Sequence, residues 1–270
     1  KLKNKKINQI YNRFEKSLNI HKSFIVAVSG GPDSLALAFL AKIFSNKNKL
    51  ISKFYIVDHK LRSESTKEAK KVKRVLKKLS INAQILTWKG KKPSQKIQSL
   101  ARTKRYELLF SQCDKFKIEN ILLGHHQDDL FENFFIRMLR GSGLKGLVSL
   151  EKKTKLNNKY LLRPLLDLKK EDLIFVSKYV FNFYVEDPSN NDKNYKRIKI
   201  RKLIEDLKKN GLDKKKFIKT IKNLRYSNNV VDFYVSENLK KNTFFFTKNN
   251  KLTLNKFFFE QPYELIFRAF

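Results

Sequence analysis

Five apolar residues, Phe24-Ile25-Val26-Ala27-Val28, run unbroken into Ser29-Gly30-Gly31-Pro32-Asp33-Ser34, and an apolar helical segment from Ser34 to Phe44 follows at once. A strand, a tight turn and a helix start in this order constrain the chain more than any other feature. Gly30 and Gly31 carry no Cβ, so the backbone can turn sharply and approach a ligand closely. Pro32 suits the first helical turn, where its missing N–H costs nothing. The free N–H groups of that turn and the positive end of the helix dipole make an anion site. Ser29 and Ser34 add hydroxyl donors at its two ends. Asp33 would repel an anion, unless a Mg²⁺ ion sits between its carboxylate and phosphates.

The turn is not a Walker A loop, because no Lys stands where G-x-x-x-x-G-K-[ST] requires it, and G-x-G-x-x-G is absent as well. Ser-Gly-Gly-Pro-Asp-Ser resembles the pyrophosphate loop of the N-type ATP pyrophosphatases, written SGGxDS. That resemblance implies cleavage of ATP between its α and β phosphates and an adenylated intermediate. The bland alternative is a Gly-rich strand-to-helix turn with no ligand.

Around this unit, strand alternates with helix. Ile7, Ile10, Tyr11, Phe14 and Leu18 fall at helical spacing and predict an opening amphipathic helix. Lys53–Val57, Ala83–Leu86 and Ile121–Leu123 read as strands. Helices fall around Ala69–Leu79, from a Ser94 cap to Cys113, and over Asp128–Leu139. The fold class is therefore α/β: a Rossmann-like open parallel sheet with helices on both faces. Leu161–Leu166 reads as an edge strand interrupted by Pro164, and Asp167 as the cap of a helix through Phe181. Tyr195–Lys209 is a basic helix, Asp213 caps a long helix toward Leu239, and Phe244–Phe246 with Leu252–Phe258 form a hairpin. Pro262 opens a last short helix. The boundary near Gly211 divides a catalytic domain, 1–211, from a small helical and hairpin domain, 212–270. The Phe-rich strands between Phe244 and Phe259 read as the core of the latter.

In an open parallel sheet, ligands bind beyond the carboxyl ends of the strands. Three polar clusters occupy such ends: the turn itself, Asp58-His59-Lys60-Leu61-Arg62, and His125-His126-Gln127-Asp128-Asp129 with Glu132 one turn on. Beside a triphosphate, Asp128 and Asp129 can hold Mg²⁺, or Asp129 and Glu132, at i, i+3, can face a cationic amine. Plain helix capping is the competing reading of the Asp pair. Arg102 and Arg105 share a helix face, suited to bidentate phosphate contact or simply solvated.

The 270 residues carry a formal net charge of +35, which points to a polyanionic partner, although a Lys-, Asn-, Ile- and Phe-rich composition accounts for part of it. Cys113 is the single cysteine, so no disulfide or Cys-based metal cluster can form within the chain. With no apolar run of spanning length and no signal-peptide core, no membrane partner is expected and the cytoplasm is the default location. A start at Lys1 rather than Met reads as a trimmed end.

Taken together, Ser29–Ser34, Val57-Asp58-His59, Leu61-Arg62, Ala101-Arg102 with Arg105-Tyr106, His125-His126 with Asp128-Asp129 and Glu132, Leu139–Gly143 with Gly146-Leu147, Arg163-Pro164-Leu165-Leu166 and Glu186–Asn190 occur in the order found in bacterial tRNA(Ile)-lysidine synthetases. The chain resembles that family over about residues 24 to 201. The resemblance implies ATP and Mg²⁺ as cofactors, and as partners a CAU-anticodon tRNA(Ile) and free lysine; it is compatible with a homodimer. ATP adenylates the C2 oxygen of the wobble cytidine, pyrophosphate leaves, and the lysine ε-amine displaces AMP. It implies nucleotide contacts from Ser29, Gly30, Gly31, Pro32, Asp33, Ser34, Asp58, His59 and Arg102. Asp33 and Asp128 then hold the metal, and Asp33, His125, Asp128, Asp129 and Glu132 serve catalysis. Arg140, Lys145, Arg163, Lys196, Arg197 and Arg201 offer a basic surface to RNA. Leu130, Asn133 and Ile198 replace the family's usual Gln, Thr and Asn. The alternatives are another adenylating enzyme with this loop, acting in tRNA thiolation or small-molecule amidation, and a non-catalytic RNA-binding module.

Overall fold

A computed structural model of the chain describes residues 3–90, 97–186, 196–246 and 251–270. The Ser94 cap, Tyr195, most of the Glu186–Asn190 stretch and the tip of the C-terminal hairpin lie outside the described residues.

In chain order the elements are α1 (Lys5–Ser17), β1 (Phe24–Val28), α2 (Pro32–Lys47), β2 (Ser52–Asp58), α3 (Ser65–Lys77), β3 (Ala83–Thr87), α4 (Ile97–Phe116), β4 (Asn120–Leu122) and α5 (Gln127–Met138). There follow α6 (Leu144–Leu147), β5 (Lys153–Leu156), β6 (Lys159–Leu162), α7 (Lys170–Phe181), α8 (Lys196–Lys209), α9 (Lys214–Asn242), β7 (Thr243–Phe246), β8 (Lys251–Leu254), α10 (Lys256–Phe259) and α11 (Tyr263–Ala269).

Six strands form one sheet in the order β3-β2-β1-β4-β6-β5. All neighbours are parallel except the β5–β6 hairpin, in which Thr154 faces Leu161. The chain builds outward from β1 to β3, then returns to place β4 on the other side of β1. That reversal opens a crevice between the carboxyl ends of β1 and β4, where open α/β sheets bind ligands.

Strand alternation assigns the two faces of β1. Phe24, Val26 and Val28 join a core with buried residues of α1, α2, α3 and α7, whereas Ile25 packs with Leu109 and Cys113 of α4. Leu35 through Ala41 of α2 are all buried, as a helix enclosed on all sides requires. Each such Leu or Phe contributes roughly 1.5–3 kcal/mol of transfer free energy.

The strand containing Leu161 is internal, flanked by β4 and β5, and it ends at Leu162, so Pro164 does not interrupt it. Asp167 does not cap α7, whose N-cap is Lys169 with no side-chain cap; its carboxylate pairs with Lys152 and its carbonyl accepts from Arg13.

Packing divides the chain into one unit of residues 1–132 with 150–199 and another of 133–149 with 200–270. Gly211 therefore lies inside the second unit. Phe134 and Phe135 belong to that unit because their rings meet Phe217 at centroid distances of 5.0 and 5.4 Å. As the sequence anticipates, Asp213 caps α9, its Oδ1 accepting the Lys215 N–H at 2.6 Å and the Lys216 N–H at 3.2 Å. Arg268 locks α11 to α9 by donating to Asn228 and Asp232. The Phe-rich strands do not form this unit's core. Phe258 is buried, but Phe244 and Phe245 of β7 are each more than half exposed, because the two-stranded β7–β8 sheet cannot cover both of its faces, and Phe257 and Phe259 on either side of Phe258 in the short helix α10 are more than half exposed as well. Among the described residues, no helix is long and apolar enough to cross a membrane.

Candidate active site

The turn after β1 has the shape its sequence predicts, with one unexpected organiser. Gly30 sits at φ +93°, and a Cβ there would lie 2.6 Å from Val72 Cγ2, so both conformation and packing demand glycine. Gly31 is the N-cap of α2 in an extended conformation, and Pro32 is the first helical residue. Ser34 Oγ accepts the N–H groups of Ser29 (3.1 Å) and Gly30 (3.0 Å), and donates to the Gly31 carbonyl at 3.0 Å. Ser34 is only 6% exposed, so its hydroxyl shapes the turn from within. Ser29 Oγ donates to Ser34 Oγ at 3.2 Å and stands on the open side.

The loop after β4 closes against this turn. A Cβ on Gly124 would lie 3.3 Å from Ser34 N and 3.4 Å from Asp33 C, which is why the residue after Leu123 carries no side chain. His126 joins the two loops. Its Nδ1 accepts the Asp128 N–H at 3.2 Å, and its Nε2 faces Asp33 Oδ2 at 3.7 Å and Asp129 Oδ2 at 3.6 Å. Asp129 Oδ2 also accepts the His126 N–H at 2.9 Å, the reciprocal half of a capping box. The capping reading therefore holds for that oxygen, while the carboxylate still lines the crevice.

The crevice has a volume of about 200 Å³ and is lined by Ser29, Asp33 and Ser34 from the turn, Val57 from β2, Arg102, Arg105 and Tyr106 from α4, and Gly124, His125 and Asp129 beyond β4. Several sequence-predicted residues thus converge, and others do not. Asp58 is buried and committed elsewhere, accepting from Lys60 N–H (3.0 Å), Ser65 Oγ (2.9 Å) and Thr66 Oγ1 (2.6 Å), which pins β2 to the start of α3. Glu132 is buried at 4% exposure one turn along α5 from Asp129. Arg163 is no surface contact. It is 4% exposed and donates through Nη1 to the Glu151 carbonyl and Thr154 Oγ1, both at 2.8 Å, so it braces the β5–β6 hairpin. Lys196 has no described side chain.

Electrostatics follow from this crowding. His125 is pushed down to about 4, first by burial and then by Arg163, Arg102 and Arg197, against the pull of Asp129. His59 is likewise pushed down to about 4 by burial and Arg105, and both its ring nitrogens are buried without a partner among the described residues. Both imidazoles are therefore neutral near pH 7. Burial would raise the Asp129 carboxyl, but His126, His125, the His126 N–H and Arg197 outweigh it and hold it below the ordinary value. Arg105 is lowered by desolvation and by Arg102 and Arg197, against the pull of Tyr106. Guanidinium groups held near one another suit a polyanion.

Among the described residues, no group of three or more His, Cys, Asp or Glu side chains is arranged to hold a metal ion by itself. One carboxylate plus phosphate oxygens is, however, an ordinary Mg²⁺ environment. Asp33 fits it, because its Oδ1 is buried with no partner among the described residues. Its other oxygen, Oδ2, lies 2.6 Å from Lys170 Nζ. Sequence reasoning missed Lys170, which lies 137 residues away; its only local signal is a pair of lysines at the start of a helix.

A profile of the PP-loop domain family matches residues 2–207. The tRNA(Ile)-lysidine synthase of Orientia tsutsugamushi is 41% identical over 182 residues, covering 67% of this chain and 41% of that protein. The tRNA(Ile)-lysidine synthase of Bradyrhizobium diazoefficiens is 34% identical over 212 residues, covering 78% and 59%. The chain thus spans about two to three fifths of the length of these curated relatives. Among solved structures, the U34-tRNA thiolase NcsA from Methanococcus maripaludis with its [4Fe-4S] cluster superposes with a TM-score of 0.69, covering 82% of this chain and 79% of that one, at 18% identity. That likeness is one of fold.

Proposed function

Because the chain belongs to the PP-loop family, we propose that it uses ATP to activate the wobble cytidine of a CAU-anticodon tRNA(Ile) and joins lysine to C2, giving lysidine, AMP and pyrophosphate. The observation that carries this reading is the crevice at the β1/β4 reversal. There the Ser29–Ser34 turn, two arginines and the Asp129 carboxylate meet around one small volume.

Each residue has a task in that chemistry. The first-turn amides and dipole of α2 receive the phosphates. Arg102 and Arg105 stabilise charge that builds on the pyrophosphate leaving group. Asp33, through Oδ1, and Asp128 would hold Mg²⁺, which when bound would supply neutralisation of phosphate charge. Asp129 and Glu132 receive the lysine ammonium, and a carboxylate kept ionised beside it can take the proton that the amine must lose. His125, uncharged at neutral pH, lines the crevice with an Nδ1 that has no partner among the described residues, and adds no competing cation. The unit of residues 1–132 with 150–199 is the catalytic part, and residues 212–270, rich in lysine, contribute to tRNA binding.

Thiolation is the second reading, favoured by the fold likeness to a tRNA thiolase. A cysteine-ligated cluster needs several thiolates. Within these 270 residues the one cysteine, Cys113, is buried and its thiol is pushed up to about 11, chiefly by burial. Lysine ligation is favoured accordingly. The test is pyrophosphate release from ATP. It should require tRNA(Ile) and proceed without lysine, while AMP release should require lysine as well. Pyrophosphate release independent of tRNA would contradict the proposal.

A further inference from the structure

An acidic residue in the middle of an anion cradle needs a counter-charge, and the fold supplies one from a distance. The segment from α7 to Val185 ties itself to the turn at three points. Lys170 Nζ lies 2.6 Å from Asp33 Oδ2, Ser177 Oγ donates to the Pro32 carbonyl at 2.6 Å, and the Val185 N–H donates to the Gly30 carbonyl at 2.9 Å. The latter two bonds position the turn. The first does something else, because it engages the carboxylate of Asp33, which lines the crevice.

We infer that Lys170 belongs to the nucleotide site as the exchangeable counter-ion of Asp33. With the site empty, its ammonium neutralises the carboxylate, so that the cradle meets an incoming phosphate without a bare negative charge. When a divalent cation arrives with the phosphates, it competes for the same carboxylate and the ammonium is released toward the phosphate oxygens. This inference rests on the reading that the turn holds ATP.

Three features carry it. Asp33 keeps one oxygen, Oδ1, buried and unpartnered among the described residues, so a divalent cation can engage the carboxylate there and, by drawing on its charge, weaken the hold of Oδ2 on Lys170. The Lys170 side chain is 33% exposed, so packing does not immobilise it. A lysine is a compact charge on a four-carbon stem and can shift by several ångströms without moving the backbone. The other group facing Asp33, His126 Nε2 at 3.7 Å, is fixed by its Nδ1 contact and cannot make that exchange.

The test is calorimetric binding of inorganic pyrophosphate to the whole chain, in EDTA and across a Mg²⁺ series. The proteins are wild type, Lys170→Met, Lys170→Arg, Asp33→Asn and the Asp33→Asn/Lys170→Met double variant. Lys170→Met should weaken Mg²⁺-free binding at least tenfold, and the Mg²⁺ concentration giving half-maximal binding should fall because the competitor is gone. Lys170→Arg should retain most of the Mg²⁺-free affinity, and adding Asp33→Asn to Lys170→Met should restore much of it. Thermal melts check that each variant folds. Mg²⁺-free affinity unchanged in Lys170→Met, or a loss that Asp33→Asn does not relieve, would overturn the exchange while leaving the ATP site standing. No pyrophosphate binding by folded wild type under any condition would overturn the ATP reading itself.

Discussion

Ser34 Oγ lies 3.0 Å from the amide nitrogen of Gly30, and the same oxygen lies 3.1 Å from that of Ser29. The last residue of the motif therefore folds back to hold the first two, and the cradle keeps its shape through that hydroxyl. Ser34→Ala leaves two N–H groups without their acceptor in a nearly closed site. It should cost about 1–3 kcal/mol of stability and weaken ATP binding together with it. Urea melts and calorimetry on the same sample check this.

The two glycines of the turn differ in what they serve. Gly30→Ala forces a Cβ into the left-handed region and against Val72, and should destabilise the protein by about 2 kcal/mol or more. Gly31 is extended, and the nearest atom to an added Cβ is Ser29 Oγ at 4.0 Å. Gly31→Ala should leave denaturant stability nearly unchanged yet reduce ATP affinity, since the added methyl group faces the ligand's approach. Equal loss of stability in both variants would contradict this division.

The amine assignment separates two half-reactions. Glu132→Gln should raise the lysine KM for AMP release on the order of tenfold, the effect of one lost charge-assisted contact. Lysine-independent pyrophosphate release should change little. If the lysine requirement stays as in wild type, the amine binds elsewhere.

Acid should weaken the fold in two successive windows. His125 and His59 sit at about 4 in the folded chain against about 6.5 when unfolded, so the unfolded state binds more protons between those values. Stability should therefore fall as pH drops from about 6.5 to about 4. Asp129 and Asp58 are held below the ordinary carboxyl value, so their contribution is present above 3.8 and is lost at more acid pH still. His125→Asn should flatten the first window. Stability that rises on acidification from pH 6.5 would contradict the direction of both shifts.

Much of this was legible along the chain. Periodicity found α1 from Ile7, Ile10, Tyr11 and Phe14, and Asp213 announced α9, because amphipathic spacing and capping are local properties. The Ser29–Ser34 turn and the β4 loop were named for the same reason. What stayed hidden depends on the third dimension. Lys170 reaches Asp33 only because α7 packs on α2, and Asp58 is withdrawn from the crevice only because Ser65 and Thr66 start α3 beneath it. Arg163 counts in the sequence among the cations offered to RNA because only its charge is visible there, yet it is buried against the β5–β6 hairpin. Exposure of Phe244 and Phe245 was not legible either, since composition cannot reveal which side of a two-stranded sheet lacks a cover.

The most direct measurement is the mass of the anticodon nucleosides from tRNA(Ile) incubated with the protein, ATP and lysine. The wobble cytidine should gain one lysine with loss of one water, and omitting either ATP or lysine should abolish the gain. An unmodified wobble cytidine after ATP has been consumed, or a nucleoside carrying sulfur instead of lysine, would contradict lysine ligation.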